Sequence, residues 1–224
     1  MNDLIKQYDN LTDDEKRILL IYKSQLSFFI NNTGNINNEN IEEYVTRYDK
    51  FKEIMECPEN IFIKKSIFYD ISLDSFETFL KSIDIIRERI NCLYGKIFLS
   101  SDIVLFRCSS IKDRNSIEKI SIGNFISTST NFETAENFFN FEGTNVTYVI
   151  KVKAGTPVLV IPYSIKLIMK DNKKLLKMIA NDDQNEIILF KNHLKIELEK
   201  QEEENDEIFI FINAEALEKN KNLL

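Results

Sequence analysis

The hydrophobic pattern of this chain changes its period about ninety residues from the N-terminus. Before that point the apolar residues recur at helical spacing, and after it they alternate or run in short apolar stretches bounded by turn residues. No linker separates the two parts. This change of period predicts a single α+β domain spanning 1–224, with a helical part over about 1–90 and a β-rich core over about 91–213.

The N-terminal part contains three predicted helices. The first follows a capping box, Thr12-Asp13-Asp14-Glu15, and continues to residue 30. The second begins at Ile41 and stops before Pro58, and the third covers about 73–90. The pattern over 60–71 is ambiguous.

The C-terminal part contains short predicted strands. They cover 103–108, 120–128, 146–152, 158–161, 186–190, 194–198 and 207–212. A helix is predicted over 165–180, and the acidic stretch 201–207 is interpreted as a solvated turn.

Composition narrows the classes of function. The net charge of −7 and the pI of about 5.0 disfavour general nucleic-acid binding, because such a surface repels phosphates. Three cysteines without a C-x-x-C pair and one histidine, His193, predict no metal centre and no disulfide framework. We see no signal peptide and no membrane span, so a cytoplasmic location is expected.

In three short motifs, polar or charged side chains lie in or beside a predicted strand. Arg107 lies in a predicted strand, Ser127-Thr128-Ser129 ends another, and Gln184-x-Glu186 precedes the apolar run Ile187–Phe190. Each has an ordinary structural interpretation as a surface cation, a helix cap or a solvated strand-end carboxylate. Their order, with separations of 20 and 59 residues from Arg107 to Ser127 to Glu186, is more specific than any one of them.

In this order the motifs resemble the R-S-E pattern of the toxin-type mono-ADP-ribosyltransferases. The resemblance covers 11–30 and 90–212. It implies N-terminal helices packed on a two-sheet β core, and NAD as the substrate, with no metal. It further implies that Glu186 stabilises the ribosyl cation and that Ser127 orients Glu186. Finally, it implies that five residues contact NAD: Arg107, Ser127, Thr128, Ser129 and Phe138.

The resemblance constrains the group that accepts ADP-ribose less than it constrains the NAD site. Gln184 stands where arginine-modifying members have Glu, and an amide suits an uncharged acceptor. Gln-x-Glu resembles the Rho-modifying exoenzymes, although the usual aromatic residue ahead of Gln184 is missing. We expect a protein acceptor and a monomeric enzyme in a cytoplasm, its own or that of a host. NAD glycohydrolysis, guanine or nucleic-acid modification and a catalytically dead interaction module remain as alternatives.

Overall fold

A computed structural model describes residues 1–24, 26–111, 125–137, 139, 143–162 and 186–217. These residues cluster into two compact units. One contains Leu11–Leu93, and the other contains Met1–Asn10 together with the described residues from Tyr94 onward. The described chain is α+β, with its longer helices in the N-terminal part, as the change of period predicts.

The unit Leu11–Leu93 is helical. Its helices are α2 (Asp13–Lys23), α3 (Ser27–Asn32), α4 (Ile41–Glu56), α5 (Ile61–Ser66) and α6 (Phe76–Asn91), with 3₁₀ turns at Thr33–Asn35 and Pro58–Asn60. The predicted capping box is present, because Thr12 Oγ1 accepts from the Glu15 amide and the Glu15 carboxylate accepts from the Thr12 amide. The core of this unit is aromatic, and the Phe79 ring contacts those of Phe29 and Tyr48 at centroid distances of 4.9 and 5.0 Å.

The first predicted helix is divided in two, which differs from the expectation for residues up to 30. Ser24 is extended at the end of α2, with φ −74° and ψ −179°. Its buried hydroxyl donates to the Ile21 carbonyl at 2.6 Å and accepts from the Leu26 amide at 3.2 Å. A serine side chain that bonds local backbone groups competes with the helical ladder, and here it ends α2 before α3 begins.

The other unit contains a short N-terminal helix and all the described strands. The helix, α1 (Asn2–Asp9), was not predicted; its Gln7 side chain exchanges two hydrogen bonds, of 3.0 and 2.9 Å, with the backbone of Phe98. The strands are β1 (Ile103–Ile111), β2 (Phe125–Ser129), β3 (Thr144–Val152), β4 (Val158–Ile161), β5 (Glu186–Phe190), β6 (Leu194–Glu204) and β7 (Glu207–Ala216), and a short helix, α7 (Phe132–Glu136), follows β2.

The seven described strands are hydrogen-bonded in the order β4-β5-β2-β1-β3-β7-β6. All neighbours are antiparallel except β3 and β7. The three-stranded block β4-β5-β2 and the four-stranded block β1-β3-β7-β6 meet at one register pair, Phe106 opposite Ser129. The described strands therefore form one mixed sheet, in which a single register pair joins the two strand blocks.

The acidic stretch near the C-terminus is mostly strand, so its interpretation as a turn was wrong. Strand β6 continues through Glu204 and pairs with β7, and the turn consists of Asn205 and Asp206 alone. Both turn residues have positive φ, 51° and 63°, as a two-residue hairpin of this hand requires. The segment is a strand, despite its polar composition, because its backbone is hydrogen-bonded to β7.

Two further predictions concern segments outside this fold. The helix over 165–180 and residues 120–124 of the second predicted strand lie outside the described residues. Across the described ranges, we find no helix with the length and apolarity needed to span a membrane.

Candidate active site

The core of the site is the pairing of β2 with β5. The two strands are antiparallel, with Ser129 opposite Glu186 and Ser127 opposite Ile188. Because side chains alternate along a strand, Ser127, Ser129 and Glu186 share one face of this pair. The Ser127 hydroxyl donates a hydrogen bond to Glu186 Oε1. Two residues 59 positions apart are thus brought into direct contact.

Glu186 is the first residue of β5 and is only 6% exposed. It lies between two register partners, Ser129 on β2 and Ile161 on β4. The sequence predicted this carboxylate at a loop-to-strand junction and facing outward. Glu186 is indeed the first residue of a strand, but it is buried, and the residues before it lie outside the described ranges. A buried polar group needs hydrogen-bond partners, and Ser127 supplies one to Glu186.

Arg107 is half-buried on β1, opposite Tyr148 of β3. Its Nη1 donates to the backbone carbonyl of Ser127 at 2.9 Å. Thus Ser127 contacts both other members of the predicted R-S-E set, through its carbonyl and its hydroxyl. Within the described part of the chain, the Arg107 guanidinium has no carboxylate partner, so it retains charge and donors for an anion.

Tyr148 beside Arg107 was not predicted from the sequence. Burial raises the pKa of its phenol, and the nearby positive charge of Arg107 acts in the opposite direction. The phenol therefore stays neutral at physiological pH. The alternating pattern of β3 predicted only that Tyr148 is a core residue. Nothing in the local pattern indicated that Arg107 is its neighbour.

Thr128 and Ser129 play different structural parts. Thr128 is buried, and its hydroxyl donates to the Ile187 carbonyl across the strand pair at 2.6 Å. Ser129 is 7% exposed and its hydroxyl accepts from the Asn131 amide at 3.0 Å, just before α7 begins at Phe132. The first contact holds β2 against β5, and the second shapes the exit from β2.

Two predicted site residues, Gln184 and Phe138, lie outside the described residues. Among the residues that are described, no group of three or more His, Cys, Asp or Glu side chains is arranged to hold a metal ion.

Comparisons with known proteins identify the fold. No family model matches the sequence, and no curated protein matches it. The structure is similar to Vis toxin, an ADP-ribosyltransferase from Vibrio splendidus, with a TM-score of 0.50 and 14% identity over 99% of this chain and 82% of that one. The C3 exoenzyme of Clostridium limosum gives a TM-score of 0.46 and 14% identity, over 95% of this chain and 89% of its own. C3larvin toxin, an ADP-ribosyltransferase from Paenibacillus larvae, gives a TM-score of 0.43 and 16% identity, over 96% of this chain and 93% of its own.

The similarity to Vis toxin shows that this chain has the fold of an ADP-ribosyltransferase toxin. That finding confirms the fold implied by the three motifs. In this chain the fold places Arg107, Ser127 and Glu186 in one hydrogen-bonded set.

Proposed function

We propose, for a chain with the fold of ADP-ribosyltransferase toxins, that it is a mono-ADP-ribosyltransferase that cleaves NAD and transfers ADP-ribose to an uncharged group of a protein. One observation carries the proposal: the hydrogen bond from the Ser127 hydroxyl to the buried carboxylate of Glu186, next to the contact between Arg107 and the Ser127 carbonyl.

The chemistry of NAD cleavage explains why a buried carboxylate is useful. Nicotinamide leaves the ribose as a neutral molecule, so no acid is needed to protonate it. Positive charge develops on the ribose as the bond breaks, and a fixed carboxylate stabilises that charge. We assign this role to Glu186. Ser127 would hold the carboxylate in one rotamer, which saves the cost of ordering it during the reaction.

We assign Arg107 to the pyrophosphate of NAD. A half-buried guanidinium without a carboxylate partner among the described residues is suited to an anionic ligand, and its fork matches phosphate oxygens. One cation for the phosphates and one carboxylate for the ribose together fit the charge distribution of NAD.

The remaining assignments are part of the proposal. Ser129 shares the face of Glu186 and would line the NAD site. The NAD contacts of Thr128 and Phe138, and the acceptor contact of Gln184, stay predictions. So do the monomeric state and a place of action in a cytoplasm, its own or that of a host.

The proposal is tested with NAD carrying two labels, one on the nicotinamide and one on the adenylate, incubated with whole-cell lysate. We expect nicotinamide release together with adenylate label in protein, and neither with Glu186→Gln. Release without transfer would favour the glycohydrolase, and label in nucleic acid would favour guanine modification. No release in any lysate would point to an interaction module and overturn the proposal.

A further inference from the structure

The helical unit contains a groove that the proposed reaction does not use. It lies between α3 and α4 and has a volume of about 680 Å³, which is within the range of small-molecule sites. Among the described residues, its lining includes Phe28, Phe29, Thr46, Arg47, Lys50 and Phe51. All of them belong to the unit Leu11–Leu93.

The interior of the groove is aromatic. Phe29 and Phe51 line the groove and are only 2% and 1% exposed, so they form its floor. Phe28 is half-exposed and forms a wall, with its ring centroid 4.9 Å from that of Tyr44. An aromatic floor and wall favour a flat apolar ligand, since such surfaces gain most from excluding water.

The rim of the groove carries an excess of positive charge. Arg47 lies over the Phe28 ring at 4.0 Å, and its Nε and Nη2 both donate to Glu43 Oε1, at 3.0 and 2.8 Å. That pair is neutral as a whole. Lys50, one helical turn further along α4, is exposed and has no carboxylate partner in the part of the chain that the structure describes. The groove therefore has an aromatic interior and one uncompensated cation at its edge.

We propose that this groove binds a small apolar anion, a molecule with a flat aromatic body and a single carboxylate or sulfonate. The body would lie against the part of Phe28 that Arg47 leaves exposed, and the anion would pair with Lys50. The protein as a whole has a net charge of −7, which repels anions, so anion binding depends on this local arrangement rather than on the overall field.

The test uses two dyes of nearly equal shape, the anion 8-anilinonaphthalene-1-sulfonate and its uncharged analogue N-phenyl-1-naphthylamine. Fluorescence titration of the full chain should give one saturable site for each dye. Lys50→Met should weaken binding of the anionic dye about three- to fivefold, as for an exposed charge pair, and leave the neutral dye unchanged. Thr46→Trp, at an exposed position of the groove, should obstruct it and weaken binding of both dyes about tenfold or more.

The matched control is Lys81→Met on α6, which removes the same charge from a lysine outside the groove and should change neither titration. Circular dichroism verifies that each variant is folded. The proposal fails if the wild-type chain shows no saturable site, or if Thr46→Trp leaves binding intact. It also fails if Lys50→Met weakens both dyes equally, because the site would then not recognise charge.

Discussion

Glu186 is buried and accepts a hydrogen bond from Ser127, so a substitution there should change the charge of the side chain and keep its size. Glu186→Gln keeps the size of the side chain and removes the charge. We expect kcat for nicotinamide release to fall on the order of 10²–10³-fold, because one electrostatic contact to the transition state is lost. The dissociation constant for NAD should change only a few-fold. Stopped nicotinamide-release assays and calorimetry measure the two quantities, and turnover at the parental rate would remove Glu186 from the site.

For Arg107 we expect the opposite result, in which substitution chiefly weakens the binding of NAD rather than slowing its cleavage. Arg107→Ala removes a cation that has no carboxylate partner among the described residues, so we expect the dissociation constant for NAD to rise about 10- to 100-fold, as for the loss of a hydrogen bond to a charged group. Arg107→Lys is the matched control: it keeps the charge without the fork and should bind NAD with intermediate affinity. Calorimetry with NAD is the measurement, and an unchanged dissociation constant in Arg107→Ala contradicts the pyrophosphate assignment.

Gln184 is two residues from Glu186 in the sequence, and its proposed role concerns the acceptor alone. Gln184→Ala should keep NAD glycohydrolysis near the parental rate and lose most transfer to protein, because the acceptor loses its orientation. Nicotinamide release and label incorporation are followed in the same lysate. If both fall together, Gln184 supports the NAD site, and if neither falls, the acceptor is recognised by other residues.

At the scale of the element, β2 separates two functions on its two faces. The Ser127 hydroxyl donates to the Glu186 carboxylate, while the Thr128 hydroxyl donates to the Ile187 carbonyl. Of these adjacent hydroxyls, one therefore belongs to the proposed site and the other to the strand pairing. This division is a consequence of strand alternation rather than of residue type.

Removal of the Thr128 hydroxyl should therefore chiefly lower stability, and removal of the Ser127 hydroxyl should chiefly lower activity. Thr128→Val should lower the free energy of unfolding by about 1–2 kcal/mol, because a buried carbonyl loses its donor, and leave kcat nearly unchanged. Ser127→Ala should lower kcat on the order of 10-fold, equivalent to one hydrogen bond, with a smaller loss of stability. Urea unfolding and nicotinamide release distinguish them. A raised KM for NAD in Thr128→Val would instead support the predicted cofactor contact of Thr128.

At the scale of the whole molecule, a network of ion pairs links distant segments of the helical unit. Arg17 pairs with Asp14 at 3.0 Å and with Asp70 at 2.8 Å, and Arg89 of α6 contacts both aspartates. Arg17 is only 8% exposed. The network ties α2, the segment before α6 and α6 together, so its charge state bears on the stability of the folded chain.

The network predicts a loss of stability in acid. Desolvation opposes the shift, but hydrogen bonds from Arg17 and Arg89, together with their charges, hold the pKa of the Asp14 carboxyl below its usual value. A lowered folded pKa gives stability that is present above the unfolded pKa of about 3.9 and is lost as the pH falls through the folded pKa. Asp14→Asn should therefore unfold more easily than the parent at pH 7, by a few tenths to about 1 kcal/mol because the carboxyl is half-exposed and screened.

Urea unfolding at pH 7 and at a series of lower pH values is the measurement. The difference between parent and Asp14→Asn should shrink as the pH is lowered below about 4. Asp13→Asn, which removes the same charge from an exposed position outside the network, is the control. A difference that stays constant across the series would show that Asp14 acts through packing rather than charge.

The sequence by itself determined the elements whose apolar pattern is local. Strands β4 and β5 begin and end where the apolar runs predicted, and α4 stops before Pro58, because side-chain periodicity and proline chemistry act within a few residues. The resemblance to a known family, which the three motifs carry, likewise predicted the fold.

The tertiary structure decided the features that depend on partners far along the chain. The register of β2 against β5 brings Ser127 to Glu186, and the ladder to β7 makes a strand of the acidic stretch in β6. Strand order and register follow from long-range hydrogen bonding, and a local pattern shows only which face of a strand is apolar, without showing which strand pairs with it. The same pairing places Glu186 between β2 and β4, where it is buried, and the local pattern had predicted it to face outward.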